Sequence, residues 1–188
     1  MNLNEWYEKG MLPDTYIESM QEHKENLLYI YDHFTVPDDQ AFVNSLKDRN
    51  LRVIVLTEDW CGDAMLNVPI LLRLAEQTSM SVKMLLRDQN LELMDQYLTN
   101  GKSRSIPIFI FINENGNEIT KWGPRADKLQ RFVNASQKEL PPKVADDYKE
   151  KFNEMLLFMT KSFRDNTDFW NEVYNSLKHT LQSAKNSR

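Results

Sequence analysis

The 188-residue chain predicts an α/β fold, a small mixed sheet with helices on both faces and helical extensions at both ends. Three observations carry this. Short apolar runs at Leu51–Leu56, Val82–Leu86 and Ile108–Ile112 stand between segments whose apolar residues recur every three or four positions. An Asn115-Gly116 pair follows the third run and signals a hairpin. Pro141-Pro142 then separates this alternation from a purely helical tail. The order β, α, β, α, β-hairpin, α makes the first two strands parallel through a right-handed crossover and adds the hairpin antiparallel.

The elements follow in chain order. Pro13-Asp14 opens a helical segment with Tyr16, Ile17, Met20, Leu27, Leu28, Tyr31 and Phe34 on one face. Pro37 suits the first turn of a second helix carrying Phe42, Val43 and Leu46. Leu51–Leu56 is β-branched and almost wholly apolar, the pattern of a strand buried on both faces. A helix from Met65 to about Thr78 contains Pro69, which predicts a kink. Val82–Leu86 is the second strand, and Leu91–Leu98 reads as a helix stopped by Asn100-Gly101. Ile108–Ile112 and Glu118–Trp122 form the hairpin, and a helix follows from about Ala126. Two amphipathic helices close the chain, one with Val144, Tyr148, Phe152, Met155, Leu156 and Met159, the other with Phe169, Trp170, Val173, Tyr174, Leu177 and Leu181. Both stripes must be covered, by the chain itself or by a homodimer partner anchored on Phe169-Trp170 and Val173-Tyr174. Ser183–Arg188 is expected to fray. The implied division is an N-terminal helical extension over 1–50, a core over 51–138 and a C-terminal helical extension over 139–188.

Composition narrows the function classes. With 23 Lys and Arg against 28 Asp and Glu, the net charge of −5 argues against a nucleic-acid partner. No apolar run is long enough to span a membrane, and the first residues have neither a basic stretch nor an apolar stretch of a secretory leader. The single cysteine excludes an intrachain disulfide and fits a reducing, cytoplasmic setting. Three scattered histidines and one cysteine make no metal-ligand spacing, so no metal is expected.

That cysteine, Cys61, sits in Trp60-Cys61-Gly62-Asp63-Ala64, at a strand-to-helix turn. A sulfur at a helix start faces unpaired N–H groups and the positive end of the helix dipole, which favour the thiolate. Asp63, Glu58 and Asp59 oppose this with negative charge. An accessible thiol with a pKa at or below that of a free cysteine is the expectation. Asp63 is also a helix-start residue by its type, with capping as its simplest role.

Four features in order resemble the thioredoxin superfamily. Trp60–Ala64 resembles the W-C-G-P-C active site with its proline replaced by Asp63 and its second cysteine by Ala64. Pro69, eight residues on, resembles the family's helix proline; Arg104-Ser105-Ile106-Pro107 resembles the segment with its cis-proline; Asn115-Gly116 and Gly123 match its hairpin turn and following glycine. The resemblance implies a thioredoxin-like fold over about 51–135 and a site with Cys61 as nucleophile and Trp60, Gly62, Asp63, Ile106 and Pro107 around the substrate. It implies protein or small-molecule thiols and disulfides as partners, and no cofactor beyond a low-molecular-weight thiol as co-substrate. Two departures concern one half-reaction. Ala64 removes the resolving thiol, and Val55 stands where many thioredoxins carry a buried acid serving that thiol. A monothiol oxidoreductase resolved by an external thiol and a redox-inactive binding module using the same groove both follow, with a sulfenic-acid sensor as a third possibility.

Overall fold

The structure, a computed structural model, describes residues 2–184. Four strands, β1 (Arg52–Thr57), β2 (Ser81–Leu86), β3 (Ile108–Ile112) and β4 (Glu118–Trp122), form one sheet in the order β2-β1-β3-β4. β1 pairs parallel with β2, Val55 opposite Met84, and antiparallel with β3, Val55 opposite Phe109. β3 and β4 pair antiparallel, with a bulge at Phe111/Ile112. This is the mixed sheet the sequence predicts. β1 is buried beyond its first residue and β3 along its whole length, so both faces of the sheet are covered. The outer edge of β2 is capped by Met11, which exchanges both backbone hydrogen bonds with Met84 at 3.0 and 2.9 Å. That pairing satisfies part of an otherwise open edge.

Nine helices surround the sheet among the described residues: α1 (Leu3–Lys9), α2 (Pro13–Ser19), α3 (Lys24–His33), α4 (Gln40–Lys47), α5 (Gly62–Thr78), α6 (Leu91–Met94), α7 (Asp127–Lys138), α8 (Tyr148–Asp165) and α9 (Thr167–Ser183). α5 is the central one. It is buried on nearly every side because it packs against α3, α4, α8 and α9 as well as β2. This explains why its sequence is apolar all round rather than striped. It continues through Pro69, whose missing N–H leaves the Met65 carbonyl without its helical donor.

Four details differ from the sequence reading. α1 is an additional helix, capped by the Asn2 side chain accepting from the Asn4 amide at 3.0 Å. The face read from Pro13 to Phe34 as one helical segment is two helices, because His23 takes a left-handed conformation at φ 56° and resets the axis. Pro37 lies outside α4, which Asp39 caps by accepting from the Phe42 amide at 3.3 Å. The helix expected over Leu91–Leu98 ends at Met94, and the chain turns through a short Thr99/Ser103 bridge instead. The hairpin signal at Asn115-Gly116 is realised as the loop 113–117, in which the Asn113 side chain accepts from the amides of Asn115 and Asn117, each at 3.0 Å.

The α9 stripe is covered from within, whereas the α8 stripe is covered only in part: Met155 and Met159 are buried, Leu156 is exposed, and Val144 precedes α8 and stands in solvent. Phe163, Trp170, Val173, Tyr174, Leu177 and Leu181 belong to the same apolar core as the sheet. The residues named as partner anchors, Phe169-Trp170 and Val173-Tyr174, are therefore interior side chains. Trp170 donates its indole N–H to the Phe163 carbonyl at 2.8 Å, closing the α8–α9 corner. Of the segment expected to fray, Ser183 ends α9 and residues 185–188 lie outside the described residues.

Candidate active site

Cys61 is the N-cap residue of α5, with extended backbone at φ −85° and ψ 113°, and its carbonyl accepts the first helical bond from Met65 at 3.0 Å. The strand β1 delivers the chain to this point and Gly62 begins the helix. The sulfur is thus aimed at the helix N-terminus, where the amides of Asp63 and Ala64 approach it and favour the thiolate. On its other side Sγ donates to the Ile106 carbonyl oxygen at 3.5 Å. The Ile106–Pro107 peptide bond is cis, as is Gly123–Pro124. Cys61 and Ile106, 45 residues apart in sequence, are in direct contact.

The thiol is less available than the sequence suggested. Cys61 is only 8% exposed. Burial, followed by the negative charge of Asp63, pushes its pKa up to about 11, beyond what the helix amides and Arg125 recover. The expectation of an accessible thiol at or below the ordinary pKa is corrected accordingly. The helix end acts in the expected direction, but desolvation wins.

Asp63 has a partner that the sequence did not reveal. Arg125 grips its carboxylate at two points, Nε to Oδ1 and Nη2 to Oδ2, both at 2.6 Å. Asp63 is buried, and burial lifts its carboxyl above the usual range despite the guanidinium. One helical turn on, Asn67 donates Nδ2 to the Pro124 carbonyl at 3.0 Å, while its buried Oδ1 has no partner. Gly123 lies against Pro107, where a Cβ at Gly123 would meet the Pro107 carbonyl oxygen at 2.2 Å. The contacts close a ring from Cys61 to Ile106-Pro107, to Gly123, to Arg125 and back through Asp63.

The other expected site residues are placed as follows. Trp60 stands 44% exposed beside the thiol, with the Arg87 guanidinium 4.9 Å from its ring centre. Arg87 also donates to the Arg104 carbonyl at 3.2 Å, joining this rim to the Ile106 segment. Arg104 itself is paired with Asp95 in the loop. Glu58 accepts from the Asp88 amide at 2.8 Å, and Asp59 from the Gln21 amide at 2.8 Å, so both acids near Cys61 serve the backbone. Tyr16 meets Thr57 at 3.2 Å beneath the turn, and burial raises its hydroxyl well above its ordinary pKa. Trp122 is core, stacked on Phe109. A groove of about 730 Å³ between α2, α3 and the end of α5 lies at the opposite end of that helix from Cys61.

Residues 10–141 match the family model described as thioredoxin. The chain belongs to the thioredoxin family. Among curated proteins no sequence matches. Two solved structures align over almost the whole length of this thioredoxin-family chain. A protein of unknown function from Pseudomonas aeruginosa has a TM-score of 0.68 at 13% identity, covering 97% of this chain and 98% of that one. An HIV epitope-scaffold has a TM-score of 0.66 at 12% identity, covering 98% and 100%. Both show that the fold, with its helical ends, is shared. The thioredoxin of Fasciola hepatica aligns at 23% identity and a TM-score of 0.34, over 51% of this chain and 88% of its own.

Within this thioredoxin framework the candidate site groups Cys61, the Ile106 carbonyl and the Asp63–Arg125 pair, with Trp60 at the rim. Sequence reasoning missed Arg125, Asn67 and Tyr16. Only Arg125 left a trace, as the charged residue directly after the Gly123-Pro124 break, and nothing in local spacing joins it to Asp63. Among the described residues no cluster of His, Cys, Asp or Glu could hold a metal ion, and no helix is long and apolar enough to cross a membrane.

Proposed function

We propose that this thioredoxin-family protein carries out thiol–disulfide exchange as a monothiol, with Cys61 attacking and an external low-molecular-weight thiol resolving. The placement of the Cys61 sulfur carries this reading. It lies at the N-terminus of α5, where the amides of Asp63 and Ala64 favour its thiolate, and 3.5 Å from the Ile106 carbonyl next to Pro107. In the first step the Cys61 thiolate attacks one sulfur of an external disulfide. A Cys61–sulfur bond forms, the original disulfide breaks, and the other half leaves as a thiolate. In the second step an external thiolate attacks the captured half, releasing Cys61 as a thiolate and carrying the half away as a new disulfide. No net electrons remain on the protein. Ala64 cannot perform this second step, so the external thiol is required. Trp60, Gly62 and Asp63 border the incoming group, and Ile106 offers it backbone pairing beside Pro107. The single cysteine supports a reducing, cytoplasmic setting.

The burial of Cys61 favours a second reading, a redox-inactive module that captures protein partners in the same groove. A pull-down with wild type and Cys61→Ser side by side separates the two. The exchange reading predicts partners trapped as mixed disulfides by wild type, released by reductant and missing from Cys61→Ser. Partners retained equally by both proteins and resistant to reductant contradict it and support the binding module.

A further inference from the structure

The ring of contacts around Cys61 closes through Arg125, with Asn67 bonded to Pro124 one helical turn away. The geometry points to Arg125 as the positioning residue of this site: its two-point grip on Asp63 neutralises the carboxylate two residues from the thiol, ties the 123–125 segment to the start of α5, and thereby sets how readily the Cys61 sulfur becomes a thiolate. This rests on the reading of Cys61 as an exchanging thiol and names what governs it.

Three observations carry the inference independently of one another. The pair is bidentate at 2.6 Å and mostly shielded, with side-chain exposures of 22% for Arg125 and 11% for Asp63. A fork-to-carboxylate pair in such surroundings holds both orientation and charge, which a flexible surface pair does not. Second, Arg125 is also fixed by Gln130, which accepts from Nη1 at 3.0 Å, so all three guanidinium nitrogens are engaged by two partners. Third, the segment that carries Arg125 is fastened at its other end. Gly123 is packed on the Pro107 carbonyl, and the Pro124 carbonyl is held by Asn67. The segment therefore spans from the Ile106-Pro107 side of the sulfur to its helix side.

The charged and titratable groups around Cys61 are few. Asp63 faces it from α5 and Arg125 from the segment after β4, while Tyr16 approaches from α2 and Glu58 and Asp59 from the turn itself. Glu58 and Asp59 are held by backbone amides, and Arg87 is engaged with Trp60 and Asp88. Asp63 is the acid that acts most on the thiol, and Arg125 is the cation that answers it. Removing Arg125 leaves an uncompensated carboxylate beside the sulfur. Removing both leaves neither.

The test is the pH profile of Cys61 alkylation by iodoacetamide in the full chain, read by intact mass, for wild type, Arg125→Gln, Arg125→Lys, Asp63→Asn and the Arg125→Gln/Asp63→Asn pair. In Arg125→Gln the midpoint of the profile is expected to rise by about one pH unit. The rate at pH 8.5 is expected to fall about threefold, since the gain in nucleophilicity offsets part of the lost thiolate. Arg125→Lys keeps the charge without the fork and is expected to recover part of the rate. In the Asp63→Asn background, Arg125→Gln is expected to change the rate by less than about twofold, as a coupled pair requires. The same slowing in both backgrounds, an unchanged profile or faster alkylation in Arg125→Gln would overturn the proposal. If Arg125→Gln does not fold, as judged by circular dichroism, the comparison of Arg125→Lys with and without Asp63→Asn decides by the same criterion. Failure here leaves the exchange reading standing, because iodoacetamide reports the thiol and not its turnover; failure of the exchange reading is seen instead as no adduct with a disulfide.

Discussion

Gly123 and Pro107 are in backbone contact: a Cβ at Gly123 would lie 2.2 Å from the Pro107 carbonyl oxygen, and Gly123 adopts φ +126°, a conformation that side chains resist. Gly123→Ala therefore meets both a clash and backbone strain. Because the clashing atom is main chain, relief requires β3 and the 123–125 segment to separate. The expected loss is roughly 3 kcal/mol or more, a fall in Tm on the order of 10 °C for a chain of this size. Thermal unfolding followed by circular dichroism measures it, and an unchanged Tm contradicts the close approach.

Burial of Cys61 couples its ionisation to folding. The thiol titrates near its ordinary value when unfolded and only near about 11 when folded. A raised folded pKa means that its contribution to stability is complete below the unfolded value and disappears as pH rises through the folded one. Between about pH 8.5 and 11 wild type is expected to lose up to about 3 kcal/mol that Cys61→Ala does not lose. Urea unfolding of both proteins at pH 7.5 and 10 reads this difference, which includes the coupling of Cys61 to the buried Tyr16 hydroxyl. Parallel losses in the two proteins contradict a buried neutral thiol.

The α8–α9 corner is part of the core. Trp170 is 4% exposed and its indole N–H is bonded to the Phe163 carbonyl. Trp170→Ala is expected to cost about 3–5 kcal/mol, the range for deleting a buried aromatic side chain. Denaturant unfolding checks this. A loss below about 1 kcal/mol would place α9 outside the cooperative unit.

The strands were legible because apolar, β-branched runs such as Leu51–Leu56 have few other uses, and β1, β2, β3 and β4 fall within about one residue of their expected ends. The N-terminal helices were less so. The apolar spacing of 13–34 continues across the break at His23, and spacing carries no information about a left-handed residue. α6 is short because the chain turns for tertiary reasons after Met94, although Leu98 keeps the helical period. At the site, the juxtaposition of Cys61 with Ile106 followed from motif order. The Asp63–Arg125 pair spans 62 residues and is created by the fold, and so is the burial that sets the thiol's acidity. Local sequence supplied the sign of the helix-end and Asp63 influences on Cys61, while the opposing charge of Arg125 and the depth to which the turn is covered came from the fold.

The central claim is tested most directly by mixing the purified protein with a small symmetric disulfide, hydroxyethyl disulfide, across pH 7 to 10 and following intact mass. With a thiol pKa near 11, about one molecule in a thousand carries a thiolate at pH 8. The account predicts a one-to-one adduct on Cys61 that forms slowly, accelerates close to tenfold per pH unit, and is removed by added glutathione to regenerate the free thiol. No adduct at any pH in folded protein, under conditions where a cysteine peptide reacts, would contradict it.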